Sequence, residues 1–475
     1  MSTHLVPALD LGWLVLETSD TPNHVGALMI FERPAGAGPT YMRDLTDHLR
    51  STETLVKPWN LHLREGLMSR LVPMLDTSGK PDMEYHVRRL ALPQPGGERE
   101  LGELVSRLHG NALDLRRPMW ECHVIEGLEG DRFALFIKIH HVLIDGVAGM
   151  RIFQRAMSPT PDDIRPAPWA YVEPSRPKKR KTKAPSTTDE AVPVPSRRGL
   201  VMKSVANLYP ILKRRARRVP NLVPAFSAPS TVLNGRVTVQ RRLSTQRYPL
   251  ARLKRIADVA KVSVNDVVLA ICGGGLRRLL AEAGELPEKA SLSACIPINV
   301  RAADEISVGT AISFGFADLA TNESDPVERL NRVHASTRAL KEQVSALPRT
   351  TVGAFTLAVM GPYALQQALG LAGRTRPMFN VVISNVPGPT EPLYLFGARL
   401  DAIYPASVLY HGQALNITCV RYADELNFGF TAWRDALPHV HRIAVYCADA
   451  LAELESALEV PAATPESALE VAAAT

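Results

Sequence analysis

The chain has 475 residues, 46% hydrophobic and 22% charged, with 30 glycines, 37 prolines and 5 cysteines. That length allows two to four domains with large buried cores, and the composition excludes a disordered, collagenous or coiled-coil chain. The formal charge of +7 is concentrated, because residues 173–218 carry 14 Lys/Arg against Glu173, Asp189 and Glu190, which leaves the remainder of the chain acidic. The basic balance therefore belongs to one segment with Tyr209 as its single aromatic and no binding motif around it, and no nucleic-acid partner is expected.

In chain order, the opening MSTHLVPALDLGWLVLE lacks a basic leader region and holds Asp10 inside its apolar run, which argues against a signal peptide. Residues 133–141 read as a largely buried strand and 146–157 as the helix after it. Prolines recur from 158 to 229, so this stretch reads as a linker. Its second part, 200–218, sets Val201, Val205, Leu208 and Leu212 at helical spacing before KRRARR. Such a basic amphipathic helix suits either an anionic membrane surface or a solvated linker packed on the protein.

Residues 265–281 then read as a long apolar helix, and 292–299 and 378–384 as strands. Between them, 350–373 carries no charge over 24 positions. Gly353, Gly361-Pro362 and Gln366-Gln367 interrupt it, so it reads as buried helices broken at Gly361-Pro362 rather than as a membrane span. The expected organisation is an N-terminal half (1–157), the linker (158–229), a C-terminal half (230–460) and a dispensable tail (461–475), in which ESALEV recurs. Cys122, Cys272, Cys295, Cys419 and Cys447 form no CxxC pair, so neither a disulfide framework nor a zinc site is expected, and a reducing compartment follows.

The strongest local signal is HHVLIDG, residues 140–146. Adjacent strand residues point to opposite faces, so His140 and His141 cannot both face one cavity. One is free to act on substrate and the other is held by the protein. Asp145 stands where the chain turns into the next helix, able to orient an imidazole or anchor the turn through an arginine. Gly146 lets the backbone turn tightly. An imidazole titrating near neutrality is suited to deprotonating an alcohol. A metal would need more ligands, and His109 and His123, the nearest in sequence, have no register that obliges convergence. A serine hydrolase would need a GxSxG elbow, and the sequence has none.

HHxxxDG is shared by the acyltransferase superfamily of chloramphenicol acetyltransferase, carnitine acyltransferases and peptide-synthetase condensation domains. Further blocks narrow the resemblance to the bacterial wax ester synthase/diacylglycerol acyltransferases. RRPMWECHVIEGL (116–128) resembles their PLW motif, with Met119 in place of leucine, and DTPNHVGALMIFERP (20–34) resembles their opening strand. SVNDVVLAICGGGLRRLL (263–280) followed by PINVR (297–301) is similar to their Asn-Asp region, and NVVISNVPGP (380–389) and GQALNITCVRYADELNFGF (412–430) to their C-terminal blocks. The six blocks run in family order from about residue 7 to 455.

The resemblance implies an α/β (α+β), two-domain CoA-dependent acyltransferase fold of the chloramphenicol acetyltransferase type, with a tunnel between the halves. It implies that His141 is the general base, with His140 and Asp145 as supports and Asp145 paired to an arginine such as Arg301. Asn265 is the candidate donor to the oxyanion, the alternative being that Asn265-Asp266 simply caps a helix. Gly146, Asp266, Arg301 and Gly353 are the expected substrate-binding positions. The implied substrates are a fatty acyl-CoA and a long-chain alcohol or diacylglycerol, giving wax ester or triacylglycerol, with no metal or other cofactor. The implied location is cytoplasmic, at an anionic inner-membrane or lipid-inclusion surface; the oligomeric state stays open. Segment 350–373 reads either as the lining of an acyl pocket or as core. Alternative readings are another HHxxxDG acyltransferase, acting in glycolipid or polyketide assembly or as a condensation domain, and a non-catalytic coat of lipid inclusions.

Overall fold

The computed structural model describes residues 3–6, 10–66, 73–77, 80–172, 220–299, 312–347 and 352–460. The basic stretch 173–218, Arg301 and the tail 461–475 lie outside them, and with them the expectations of a 200–218 helix and an Asp145–Arg301 pair.

Strands β1 (Thr3–Leu5), β3 (Leu61–Leu63) and β4 (Met74–Thr77) form a small antiparallel sheet. The first large sheet has the order β12-β13-β2-β7-β6-β5, from β2 (His24–Glu32), β5 (Val87–Ala91), β6 (Trp120–Leu128), β7 (Arg132–His140), β12 (Tyr394–Leu395) and β13 (Ala398–Ala406). The second has the order β10-β9-β11-β14-β15-β8, from β8 (Arg241–Pro249), β9 (Ser293–Asn299), β10 (Ile312–Asp318), β11 (Val381–Val386), β14 (Leu415–Tyr422) and β15 (Glu425–Trp433). The helices are α1 (Leu11–Val15), α2 (Tyr41–Arg50), α3 (Met83–His86), α4 (Glu98–Gly110), α5 (Gly146–Ala156), α6 (Leu250–Ala260), α7 (Val264–Glu282), α8 (Pro326–Ser345), α9 (Val352–Ala368) and α10 (His441–Ala457).

β7 is nearly all apolar because it lies mid-sheet between β2 and β6, with side chains buried on both faces. One face packs Phe31, Phe133, Ile137, Trp59, Trp120 and Trp169 together, and the other packs Phe136 and Ile125 against Leu101 and Val105 of α4. Under the second sheet α7 is buried along most of its length. Its run Gly273-Gly274-Gly275 is what lets it sit there: a Cβ would come within 2.4 Å of the Leu319 carbonyl, 2.7 Å of Ala450 and 2.7 Å of the Cys447 sulfur. Three glycines weaken the helix locally, and burial of Leu269, Ile271 and Leu276, each about 2 kcal/mol, offsets that cost.

The two sheets with their helices give the α/β two-domain arrangement expected from sequence, with three corrections. First, sheet membership does not follow the 1–157 and 230–460 boundaries: after β11 the chain crosses over, and β13 pairs with β2 at the edge of the first sheet. Second, both ends of the supposed 158–229 linker are packed. Trp169 is fully buried and donates its indole N–H to Leu49 O at 3.1 Å, Ser158 exchanges backbone hydrogen bonds with Tyr394, and Ala228 is buried. Third, α9 runs through Gly361-Pro362 without a break, and it is buried on one side only.

Candidate active site

HHVLIDG folds as strand end, turn and helix start. The His140 backbone N–H donates to Met119 O at 2.9 Å and that of His141 to Asn23 O at 2.8 Å, which ties the end of β7 to both neighbouring segments. The turn closes through Leu143 N–H to His140 O at 3.0 Å. Asp145 then caps α5, its carboxylate accepting the Ala148 N–H at 2.8 Å. Gly146 does not adopt a left-handed backbone, and a Cβ there would lie a tight 3.2 Å from a Val386 methyl at the end of β11. The motif therefore abuts the second sheet.

The two histidines differ as strand alternation requires. His140 is fully buried; its Nδ1 accepts the Val142 N–H at 3.2 Å, so the proton is assigned to Nε2, which donates to Glu17 at 3.1 Å. His141 is only partly buried, and its ring lies flat on the Trp13 indole, centroids 3.8 Å apart and planes 9° apart. Its Nδ1 is enclosed without a hydrogen-bond partner among the described residues. Burial holds its pKa down to about 4, the charge of His140 adding to this and that of Asp145 opposing it. The ring is thus neutral at pH 7, with a lone pair available.

The N-terminal segment braces this pair. Glu17 accepts from His140 and also from the Asn23 backbone N–H at 3.0 Å. Asn23 in turn donates its side-chain amide to Trp13 O at 2.6 Å. Trp13, Glu17 and Asn23 thus enclose the histidines from the opposite side to β6. Sequence reasoning missed Trp13 and Glu17, having considered residues 1–17 only as a leader. Glu17 lies beyond the end of α1, so no helical spacing signalled the pair.

Behind the pair lies a layer of buried polar side chains. His24, paired in register with His140, reaches His109 O at 2.8 Å, and His109 reaches Ser407 O at 3.0 Å. Burial pushes the His109 pKa to about 3 and His24 well below its ordinary value. Fully buried Lys138 donates to Leu108 O and Asn111 O and pairs with Glu121 at 3.3 Å. Burial would raise Glu121, but the hydrogen bond from His123 and the charges of Lys138 and Arg88 outweigh it and hold its pKa at about 2.

The remaining predicted positions are scattered. Asp266 is a structural hub: it shares a capping box with Ser263 and accepts from His334 at 3.0 Å and Thr337 at 2.6 Å, which corrects its assignment to substrate binding. The cap of α7 is thus Ser263, and Asn265, in the first turn, makes no described hydrogen bond. Gly353 faces open space, with no atom within 4 Å of a Cβ placed there. Arg301 lies outside the described residues. Met119 and Trp120 are fully buried, Trp120 donating to Trp59 O at 2.8 Å and stacking on Trp169 at 4.5 Å, so the PMW block packs beneath the strand that ends in His140. Among the described residues no three His, Cys, Asp or Glu side chains gather as metal ligands.

Comparison with known proteins matches residues 6–268 to the wax ester synthase/diacylglycerol acyltransferase catalytic domain and 308–455 to that family's C-terminal domain. A Mycobacterium tuberculosis protein named as a diacylglycerol O-acyltransferase is 43% identical over 94% of this chain and 96% of its own length. The solved wax ester synthase/diacylglycerol acyltransferase from Marinobacter aquaeolei VT8 superposes with a TM-score of 0.76 at 33% identity, covering 96% of this chain and 100% of that one. The first condensation domain of the calcium-dependent antibiotic synthetase, at 16% identity and a TM-score of 0.58 over 98% of this chain and 99% of its own, shares the fold alone.

Proposed function

The chain belongs to the wax ester synthase/diacylglycerol acyltransferase family and is an acyl-CoA-dependent O-acyltransferase, and from that premise we propose that His141 is the general base of the transfer. The acceptor is a long-chain alcohol or a diacylglycerol. His141 takes the proton from its hydroxyl as the oxygen attacks the thioester carbonyl. The tetrahedral oxyanion collapses, the C–S bond breaks, and the imidazolium returns the proton to the departing CoA thiolate. Donor and acceptor meet along the seam where the start of α5 faces the end of β11, close enough that a Cβ at Gly146 would lie 3.2 Å from Val386.

His140 and Asp145 act as supports, the first through Glu17 and the second as the cap of α5. Asn265 is assigned to the oxyanion. In favour of it are an amide without a described hydrogen bond and a place in the first turn of α7, where helix N–H groups favour negative charge. Among the described residues no single helix is long and apolar enough to cross a membrane, and peripheral attachment to a lipid surface fits acceptors of this kind.

The observation that carries the reading is the environment of His141: neutral, stacked on Trp13, anchored through its own backbone, and without a protein partner at its buried nitrogen. The test uses labelled palmitoyl-CoA with hexadecanol or dioleoylglycerol and separates the lipid products by chromatography. His141→Ala should lower ester formation at least about a hundredfold while unfolding as the wild type does. A folded His141→Ala protein forming ester at the wild-type rate would remove the mechanism. Wild-type protein inert toward both alcohols yet active on a carrier-bound thioester would favour the condensation-type alternative.

A further inference from the structure

Helix α9 has two apolar faces with different surroundings. Its inner face buries Phe355, Val359 and Tyr363 in a cluster with Met378, Phe379 and Tyr410. Its outer face presents Leu357 and Leu365, 62% and 59% exposed, and Leu369, 61% exposed, follows directly after its last residue, its N–H still donating to Leu365 O at 2.9 Å. Spaced eight and four residues apart, with Gly361 between, they form a single stripe along the helix. Leu371, just beyond the helix, is also exposed. Scattered leucines need no explanation, but an aligned row marks an interaction site.

Charge selects the occupant. No aspartate or glutamate occurs between Glu342 and Glu391, whereas Arg349 and Arg374 bracket the uncharged stretch and Arg376 follows. Arg374 and Arg376 are exposed at the C-terminal end of the helix. A second copy laid on this face in the same direction would bring Arg374 and Arg376 onto their own counterparts, like charge against like. An anionic phospholipid surface satisfies both the leucines and the arginines. We propose that α9 lies flat on such a surface, with Leu357, Leu365 and Leu369 among the acyl chains and Arg374 and Arg376 at the headgroups. At 17 residues the helix offers about 25 Å of contact. Its inner cluster is one that Trp13, the residue stacked on His141, also packs against, so this helix and the candidate base share a hydrophobic cluster. The proposal rests on the acyltransferase reading only in that a water-insoluble acceptor gives the contact its purpose.

The test is flotation of the full-length protein with dioleoylphosphatidylcholine vesicles, with and without dioleoylphosphatidylglycerol. The triple variant Leu357→Gln/Leu365→Gln/Leu369→Gln should float at least about tenfold less on both. Arg374→Gln/Arg376→Gln should lose binding only on the anionic vesicles, and more so at low salt. Both should still esterify a short, water-soluble alcohol at the wild-type rate; failure of that assay in the wild type strikes the acyltransferase reading and leaves flotation standing. Because all five native cysteines are buried, an environment-sensitive fluorophore on Leu365→Cys reports insertion even if the triple variant folds poorly. A blue shift on adding vesicles supports the proposal. Wild-type flotation by the triple variant, an unshifted fluorophore, or a change from dimer to monomer with flotation intact would overturn it.

Discussion

Trp13 does more than cover His141. A stacked indole fixes the plane of the imidazole and keeps water from one face, and so shares in the burial that holds its pKa near 4. Trp13→Ala should therefore lower kcat about ten- to a hundredfold through misorientation of the base. It should also move the acid limb of kcat/KM upward, toward the 6.5 of a solvated histidine. Trp13→Phe should restore most of both. A rate loss without movement of the acid limb would mean that Trp13 only fills space. The candidate base was legible in the sequence because HHxxxDG sits at a strand end. Trp13 and Glu17 were not, since neither carries a motif and their contact with His140 and His141 spans more than 120 residues.

At the scale of the element, α7 places two neighbouring residues differently, Asp266 bonded within the protein and Asn265 proposed to face the reaction. Asp266 is 1% exposed and joins the start of α7 to α8 through Thr337 and His334, so Asp266→Ala should cost about 3 kcal/mol in denaturant unfolding. Asn265→Ala should leave stability unchanged and lower kcat about a hundredfold or more with little effect on KM for acyl-CoA. If the Asn265 variant turns over normally, the oxyanion donor lies elsewhere. Helical periodicity showed that this element exists. It could not show which of Asn265 and Asp266 faces the protein, because that depends on the packing of α8. The same gap explains α9: an uncharged stretch reads as core in a sequence, and only the exposure of Leu357, Leu365 and Leu369 separates its two faces. Pro362 misled for another reason, since it sits within a continuous helix, with its ring on the exposed side.

Across the whole molecule the buried histidines set a pH limit. His141 is held near 4, His109 near 3 and His24 well below its usual value, all by burial. Below pH 6.5 the unfolded chain binds protons at these sites and the folded chain does not. Stability is therefore complete above that pH and is lost as pH falls, by about 1.4 kcal/mol per unit for each histidine. Glu121, held near 2, adds its own loss once pH drops below about 4.5. Thermal unfolding followed from pH 7 to pH 5 should show a falling midpoint; a constant midpoint would mean that these histidines are solvated. The division into two halves was legible from alternating strands and helices flanking a proline-rich stretch. The return of β13 to the first sheet was not, because sequence order carries no record of which edge a strand joins.

That return also governs how the protein is made. On the ribosome β2 emerges early, but the strand that completes its outer edge comes from residues 398–406. At roughly 5–20 residues per second, β2 stays open for some tens of seconds, with a row of unpaired amides and carbonyls beside apolar side chains. The nascent chain thus passes through a stage in which its first sheet can recruit any extended strand, and only late synthesis closes it. Closing the first sheet thus depends on a strand from the far end of the chain, which couples its completion to the making of the second.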